Sequence, residues 1–316
     1  MLTKCAHQDP QRLWQTPMQL AIKDEFAPLT RVIIGLGAPY QRNKARVRSE
    51  FEDYTQVPDT EHKAAVLALD YPLEAQLETE YAALTTTLTK LGVEVQRADP
   101  NRAYSFDYTC PRDIAFVVDD SLIIANMAVP SRAQEFETIR PLFEGFATSK
   151  ILKPPPGARL EGGDVVWLAE DCLLVGINQR TNAAGASFLQ NTLQGQGLTV
   201  LPVHHRGLHL DCCLNPLGKG HLLIHRASLT ETDPALWRRL ERYPWVTIDN
   251  VEREHLATNV LSIDEQTIIA RDHPSCARVN AELSRLGYEV ITLTFDGVPA
   301  TGGSFRCASL PLQRRY

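Results

Sequence analysis

The chain has 316 residues, 44% of them hydrophobic, and its 32 basic and 38 acidic side chains leave a formal net charge of -6. A chain of this length and composition can bury a large core. The negative charge, and the lack of a basic stripe with interleaved aromatic residues, exclude a nucleic-acid partner.

The N-terminal segment contains no apolar signal region, and no window of the sequence reaches the length of a membrane span. Seven cysteines are an odd number, and they have no regular spacing, which argues against a secreted disulfide framework. We therefore expect a cytoplasmic protein with reduced thiols and no membrane partner.

One arrangement of elements recurs along the chain: two short apolar strands joined by a polar turn, an amphipathic helix and a third strand. A strand at 31–37, a helix at 73–92 and a strand at 93–98 indicate a first copy, which a long insertion at 38–66 interrupts. Four clearer copies follow, with strand pairs at 113–127, 164–177, 211–225 and 259–271. The helices of these copies are predicted at 133–146, 182–197, 233–243 and 275–287. Strands that alternate with helices in this way predict an α/β protein.

Polar residues open the copies at a nearly constant interval. Asp113, Glu161 and His209 follow one another at intervals of 48 residues. Asn259 follows His209 after 50 residues, and Cys307 follows Asn259 after 48. A repeat of this length is typical of a propeller or solenoid. If five ββαβ blades close with pseudo-five-fold symmetry, their first strands begin near one axis, and these side chains should share a pocket.

Such an α/β propeller would make residues 1–316 a single catalytic domain. Gly302 and Gly303 precede Cys307 and would weaken the interior of a strand. We expect them to let the backbone approach closely where the fifth blade reaches the pocket.

Two arginines share the same repeat. Arg132 lies 19 residues after Asp113, and Arg180 lies 19 residues after Glu161. Equivalent positions in neighbouring blades would let both guanidinium groups hold a carboxylate through bidentate hydrogen bonds.

A cysteine beside a histidine and a carboxylate supplies a nucleophile, an acid–base group and an orienting group. Neighbouring acids would raise the pKa of the thiol, because like charge disfavours the thiolate. Such a site needs a cation, and a planar guanidinium with five N–H donors fits between two carboxylates. The acids expected around Cys307 are Asp107, Asp113, Glu161, Asp164 and Asp211.

Each motif also has a simpler interpretation when it is taken alone. A buried cysteine is commonly inert, and single arginines usually lie on the surface. "EGGD" at 161–164 could be a solvated turn, and "HHRGLHLDCC" at 204–213 could bind a metal ion. Cys212 and Cys213 would face opposite ways from a strand, so no metal site is expected there. The common spacing favours the catalytic interpretation.

These motifs resemble those of the guanidino-group-modifying superfamily, which includes arginine deiminases, dimethylarginine dimethylaminohydrolases and amidinotransferases. The segment 110–132 is most similar to amidinotransferases, 160–168 and 180–185 to the hydrolases, and 302–312 to deiminases. The resemblance implies the pentein fold, a five-bladed α/β propeller. No nucleotide or metal motif appears, so we expect neither a cofactor nor a metal.

The resemblance also implies roles for the shared residues. Cys307 would attack the guanidinium carbon, and His209 would protonate the departing amine and then activate water. Glu161 would stabilise and orient these groups, while Asp113 and Asp211 would hold the guanidinium nitrogens. The presence of the acid Asp211 favours a substrate with an unsubstituted guanidine over one with a methylated guanidine.

The remaining substrate-binding candidates are Arg132 and Arg180 for the substrate carboxylate, Asp107 near its amino group, and Asp164. The leading prediction is hydrolysis of a guanidino C–N bond of arginine or a close derivative. Amidino transfer to an amine acceptor and a non-catalytic binding module are the alternatives. The insertion at 38–66 is predicted to be a lid that orders on ligand binding, and the repeats leave the oligomeric state open, a homo-oligomer included.

Overall fold

The structure is a computed structural model that describes residues 19–37, 49, 52–54, 56–57, 71–103, 105, 108–144, 151–230 and 233–316. Its strands in these ranges are β1 Leu29–Ile34, β2 Glu94–Gln96, β3 Ala115–Val118, β4 Ser121–Ile124, β5 Ile151–Leu152, β6 Val165–Ala169, β7 Cys172–Ile177, β8 Thr199–His204, β9 Leu214–Pro216, β10 Leu222–Ile224, β11 Trp245–Thr247, β12 Leu261–Ser262, β13 Thr267–Arg271, β14 Glu289–Leu293 and β15 Ser309–Arg314. The α-helices of four or more described residues are α1 Glu74–Lys90, α2 Pro111–Ile114, α3 Phe136–Ile139, α4 Ala183–Thr192, α5 Pro234–Leu240, α6 Asn250–Glu254, α7 Ala277–Arg285 and α8 Gly297–Ala300. None of the described helices is long and apolar enough to cross a bilayer.

The strands form five sheets of three strands each. Their orders are β3-β4-β5, β6-β7-β8, β9-β10-β11, β12-β13-β14 and β15-β1-β2. In every sheet the central strand pairs antiparallel with the first strand and parallel with the third. A parallel pair requires a crossover, and helical turns supply it between the second and third strands. Five equivalent sheets confirm the predicted five-unit α/β propeller.

The fifth sheet joins the two ends of the described chain. Strand β15 pairs antiparallel with β1, from Leu29 opposite Arg314 to Ile34 opposite Ser309. The N-terminal copy of the repeat therefore takes its first strand from the C-terminal end of the chain. Because β15 begins at Ser309, this pairing also places the segment that carries Cys307.

The helix predicted at 133–146 is shorter in the structure. Among residues 133–144, which the structure describes, only α3 is α-helical, and a 3₁₀ turn at Arg140–Phe143 follows it. Pro141 lacks an N–H group, and its ring clashes with the carbonyl of the preceding turn, so it stops an α-helix from continuing.

The strands are mostly buried, and their apolar side chains pack in clusters between neighbouring sheets. Most of the predicted lid at 38–66 lies outside the described residues. Within this segment the structure describes 49, 52–54 and 56–57. Tyr54 from this segment is buried, and the guanidinium carbon of Arg180 lies 5.8 Å from the centre of its ring.

Candidate active site

The polar residues that open the blades lie directly before the first strands of their sheets. Asp113 is in α2, just ahead of β3, and short 3₁₀ turns connect Glu161 to β6 and His209 to β9. Asn259 lies two residues before β12, and Cys307 two residues before β15. These strands begin at the same end of the ring, so the structure brings the five side chains together.

Three of them, Asp113, His209 and Cys307, line a small pocket, and Glu161 and Asn259 are not part of its lining. The other lining residues are Cys110, Arg132, Arg180, Leu208, Thr301 and Gly302. A larger and more open groove beside α4 is lined by apolar and neutral polar residues, with Phe188 and Pro155 among them. Of these two sites, the small pocket carries the groups that can act as nucleophile, acid or base.

His209 lies between two carboxylates. Its Nε2 atom is 2.8 Å from Glu161 Oε2, and its Nδ1 atom is 3.5 Å from Asp113 Oδ1. Burial alone would lower the pKa of the imidazole, but Asp113 and the hydrogen bond to Glu161 raise the pKa of His209 well above its usual value. The ring is therefore held as an imidazolium that can donate a proton.

Glu161 is fully buried and remains ionised. Burial raises the pKa of this carboxyl, but Arg180 and His209 outweigh burial and lower it to about 2. Its Oε1 atom accepts a hydrogen bond of 2.8 Å from the Ala128 backbone, and Arg180 lies 3.4 Å from Oε2. Three contacts thus fix Glu161 as an orienting group for His209.

Asp113 has one oxygen with a hydrogen-bond partner and one without. Arg132 donates to Oδ2 at 3.1 Å, whereas Oδ1, like His209 Nδ1, is buried without a hydrogen bond among the described residues. A Cβ atom at Gly163 would lie 2.7 Å from the His209 ring and 3.0 Å from Asp113 Oδ1, so glycine is needed beside them. An unpaired buried acceptor is costly, and a donor from a ligand would satisfy it.

Cys307 is held by Asn259. The Asn259 amide donates to Cys307 Sγ at 3.1 Å, and its oxygen accepts the backbone N–H groups of Ser304 and Cys307 at 3.0 and 3.1 Å. One side chain therefore positions both the sulfur and the loop that carries it. Gly303 is required in this loop, because a Cβ there would lie 2.4 Å from Cys110 Sγ.

The pKa of Cys307 is lowered, whereas the sequence led us to expect that acids would raise it. Hydrogen bonds from the thiols of Cys110 and Cys212 lower it most, burial opposes them, and His209 lowers it further. Asp211 Oδ2 is 3.3 Å from Cys307 Sγ. Burial, followed by Cys307, raises the pKa of Asp211 to about 8.

Asp211 lies behind Cys307 and does not line the pocket. Its Oδ2 atom accepts a hydrogen bond of 2.8 Å from Arg306, which also donates to Glu25 Oε1 at 2.7 Å. The carboxylate predicted to hold a substrate nitrogen thus has a guanidinium partner within the chain. The prediction missed Arg306, although its position next to Cys307 in "FRC" was a signal.

Asp164 also lies outside the pocket lining. Its Oδ1 atom accepts the Leu210 backbone N–H at 2.9 Å and lies 3.0 Å from His205 Nε2. The carboxylate therefore supports the turn that carries His209 and Asp211. His205 belongs to the "HHRGLHLDCC" segment, and its buried pairing with Asp164 can be recognised only from the structure.

The two arginines line the pocket, and each contacts an acid. Arg132 also donates to Glu135 at 3.0 Å, and Arg180 contacts Glu161. Both guanidinium groups are buried. Asp107, the predicted contact for a substrate amino group, lies outside the described residues.

Comparisons with known proteins identify the family of this chain. A family model described as N,N dimethylarginine dimethylhydrolase, eukaryotic, matches residues 46–314. The chain is 34% identical over 205 residues to the uncharacterized protein YkgA of Bacillus subtilis (strain 168), covering 64% of this chain and 68% of that protein. It is 24% identical to inosamine-phosphate amidinotransferase 1 of Streptomyces griseus, covering 93% of this chain and 97% of that enzyme.

Among solved structures, DDAH from Pseudomonas aeruginosa complexed with citrulline is similar, with a TM-score of 0.71 and 21% identity, covering 90% of this chain and 99% of that one. This likeness confirms the fold, and the family model covers most of the sequence. The chain therefore belongs to the N,N dimethylarginine dimethylhydrolase family, within the guanidino-group-modifying superfamily of pentein fold.

Proposed function

We propose that this protein hydrolyses the guanidino C–N bond of arginine or a close derivative, such as a methylated arginine, to give citrulline and ammonia or an amine. The reaction would pass through a covalent intermediate on Cys307. The observation that carries the proposal is the position of His209, whose ring nitrogens lie 2.8 Å from Glu161 and 3.5 Å from Asp113 in a pocket that Cys307 also lines.

In the first half of the proposed reaction, the substrate guanidinium donates N–H groups to Asp113 Oδ1, which lacks a hydrogen-bond partner among the described residues. The Cys307 thiolate attacks the central carbon, and a C–S bond forms. His209 transfers its proton to the leaving nitrogen, the C–N bond breaks, and ammonia or an amine departs. The elevated pKa of His209 suits a proton donor.

In the second half, the now neutral His209 takes a proton from water, and the hydroxide attacks the same carbon. The C–S bond then breaks and the proton of the added hydroxyl group passes to solvent, which releases citrulline and restores the thiolate and the imidazolium. Glu161 stabilises the imidazolium in both halves, since it lies 2.8 Å from the ring. Arg132 and Arg180 line the pocket and are the candidates for binding the substrate carboxylate.

Transfer of the amidino group to an amine is the second candidate. The match to an amidinotransferase of Streptomyces griseus, which spans 93% of this chain, supports it. The two reactions share the first half and differ in whether water or an amine takes the amidino group.

The test is mass spectrometry of the products after incubation with arginine, with and without glycine, and in parallel with dimethylarginine. Citrulline in the absence of glycine would support the hydrolase. Ornithine and guanidinoacetate formed only with glycine would identify an amidinotransferase. Absence of product from every substrate would leave the binding-module alternative.

The role of Cys307 is tested with Cys307→Ser and the matched control Cys276→Ser. The control alters a buried thiol that lies directly before α7. The first variant should lose turnover, and the second should retain it. A Cys307→Ser enzyme with unchanged turnover would rule out covalent catalysis by this residue.

A further inference from the structure

The two arginines of the pocket are held in different ways. Arg132 contacts two carboxylates, at 3.0 and 3.1 Å. Arg180 Nη1 lies 3.4 Å from Glu161 Oε2, and the same oxygen lies 2.8 Å from His209 Nε2. Glu161 is therefore shared between two cations, and its contact with Arg180 is the longer one. This carboxylate constrains the Arg180 guanidinium less closely than the acids beside Arg132 constrain theirs.

Arg180 also contacts an aromatic ring. Its guanidinium carbon lies 5.8 Å from the centre of the Tyr54 ring, and both side chains are buried, with exposed fractions of 1% for Arg180 and 2% for Tyr54. A guanidinium within about 6 Å of a ring centre is attracted by the negative charge on the ring face, and burial strengthens this attraction. The mechanism proposed above gives Tyr54 no role.

Tyr54 is anchored in the core, although it belongs to the segment predicted as a lid. Tyr54 and Val57 are buried in an apolar cluster that includes Val32 of β1, Ile269 of β13 and Phe305. Such packing fixes the ring relative to the sheets.

The ring does not reach the substrate position itself. Of the described residues, Arg180 lines the pocket and Tyr54 does not. An effect of Tyr54 on a bound substrate must therefore pass through Arg180.

We propose that Tyr54 is a positioning residue that holds Arg180 toward the carboxylate of the substrate, and that it thereby makes the pocket favour guanidino amino acids over guanidino amines. Without the ring, the guanidinium can turn toward Glu161 and form closer hydrogen bonds there, which leaves fewer of its donors for a ligand carboxylate. This role rests on the proposed function, because it assigns Arg180 to the substrate carboxylate.

The experiment is calorimetric binding of arginine and of agmatine, the amine that lacks the arginine carboxylate, to the full-length chain. All proteins carry Cys307→Ser, so that no covalent intermediate forms. Tyr54→Leu and Tyr54→Met remove the ring, Tyr54→Phe keeps it, and Val57→Ala is the matched control in the same segment and cluster. Circular dichroism confirms that each variant is folded.

Loss of the ring should raise the Kd of arginine about tenfold, and change that of agmatine by less than about twofold, in whichever of the two variants folds. Tyr54→Phe and Val57→Ala should bind both ligands like the protein in which Tyr54 and Val57 are intact. Three results would each overturn the role of Tyr54: an equal loss for arginine and agmatine, no loss for arginine, or the same selective loss in Val57→Ala.

The same measurement separates this role from the proposed function. Failure of arginine to bind when Tyr54 is intact would contradict both. Arginine binding without the selective loss would contradict only the role of Tyr54.

Discussion

Two groups of buried charges lie on either side of Cys307, and they differ in how completely they are paired. On the pocket side, Asp113 Oδ1 and His209 Nδ1 have no hydrogen-bond partner among the described residues. On the other side, all three nitrogens of the Arg306 guanidinium donate hydrogen bonds, to Glu25, Asp211 and the Val165 carbonyl. Asp113 Oδ1 and His209 Nδ1 face each other at 3.5 Å as an ion pair. Buried atoms without a hydrogen bond mark the place where a ligand completes the site, whereas the fully hydrogen-bonded Arg306 is part of the scaffold.

The largest effect is expected on the pocket side. His209→Asn removes the proton donor, and kcat should fall by about 10²–10⁴-fold, the usual contribution of general acid–base catalysis. Urea unfolding of the His209→Asn variant should show that the variant is still folded. The measurement is steady-state turnover of arginine, with His204→Asn as an exposed control. A kcat within a few-fold of the wild-type value would contradict the role of His209.

A substitution on the fully paired side of Cys307 should reduce the stability of the fold. Arg306→Met removes the cation of Asp211 and leaves Glu25 with only the longer 3.9 Å contact to Arg112, and it should lower the free energy of unfolding by about 3–5 kcal/mol. Urea denaturation checks this value. Arg285→Met, which removes an exposed pair with Glu282, is the control and should change the midpoint little. A small loss in Arg306→Met would mean that the network is not part of the scaffold.

The boundary between the two sides can be perturbed at Gly303. An alanine there would place its Cβ 2.4 Å from Cys110 Sγ and 2.7 Å from Cys307 Cβ. We expect a loss of about 1–3 kcal/mol in stability, together with a lower kcat, because the nucleophile must move. Gly195→Ala has open space around its Cβ; its φ of +86° strains the backbone and affects stability, but kcat should remain unchanged. Equal kcat values for the two variants would contradict the proposed close packing.

The smallest effect concerns the pH dependence of stability. Burial lowers the pKa of His205, but Asp164 and Cys213 together outweigh burial and raise the pKa to about 9, from 6.5. Because the folded-state value is the higher one, this stabilisation is complete below about pH 6.5 and is lost as the pH rises through about 9.

The stability difference between the wild-type chain and His205→Asn should therefore shrink between pH 6.5 and 9. Urea unfolding at several pH values measures it, and comparison with the wild-type chain cancels contributions from other groups. A difference that does not vary with pH would show that His205 is not charged in the fold.

Much of the architecture was predictable from the spacing of a few residues. The interval of 48 residues located the first strand of each blade, and with it the positions of Asp113, Glu161, His209, Asn259 and Cys307. The helix at 133–146 was predicted too long because its apolar pattern outweighed Pro141. The pairing of β15 with β1 is visible only in the structure, where the fifth blade combines strands from both ends of the described chain.

The partners of the charged groups were not predictable in the same way. Asp211 contacts Arg306, and Arg306 contacts Glu25 from the opposite end of the chain, 281 residues away. A repeat interval predicts the position of a residue in its blade, but it does not predict which of several nearby opposite charges becomes its partner.

The sequence by itself determined the five-blade repeat, the ring of polar residues and the family, because periodic burial and motif chemistry depend on local order along the chain. Tertiary structure decided which acids face the pocket and which are neutralised behind it. It also decided that Cys212, and not Cys213, lies beside the nucleophile. The physical reason is that burial makes each charge depend on its nearest partner, and in a closed ring those partners come from distant segments.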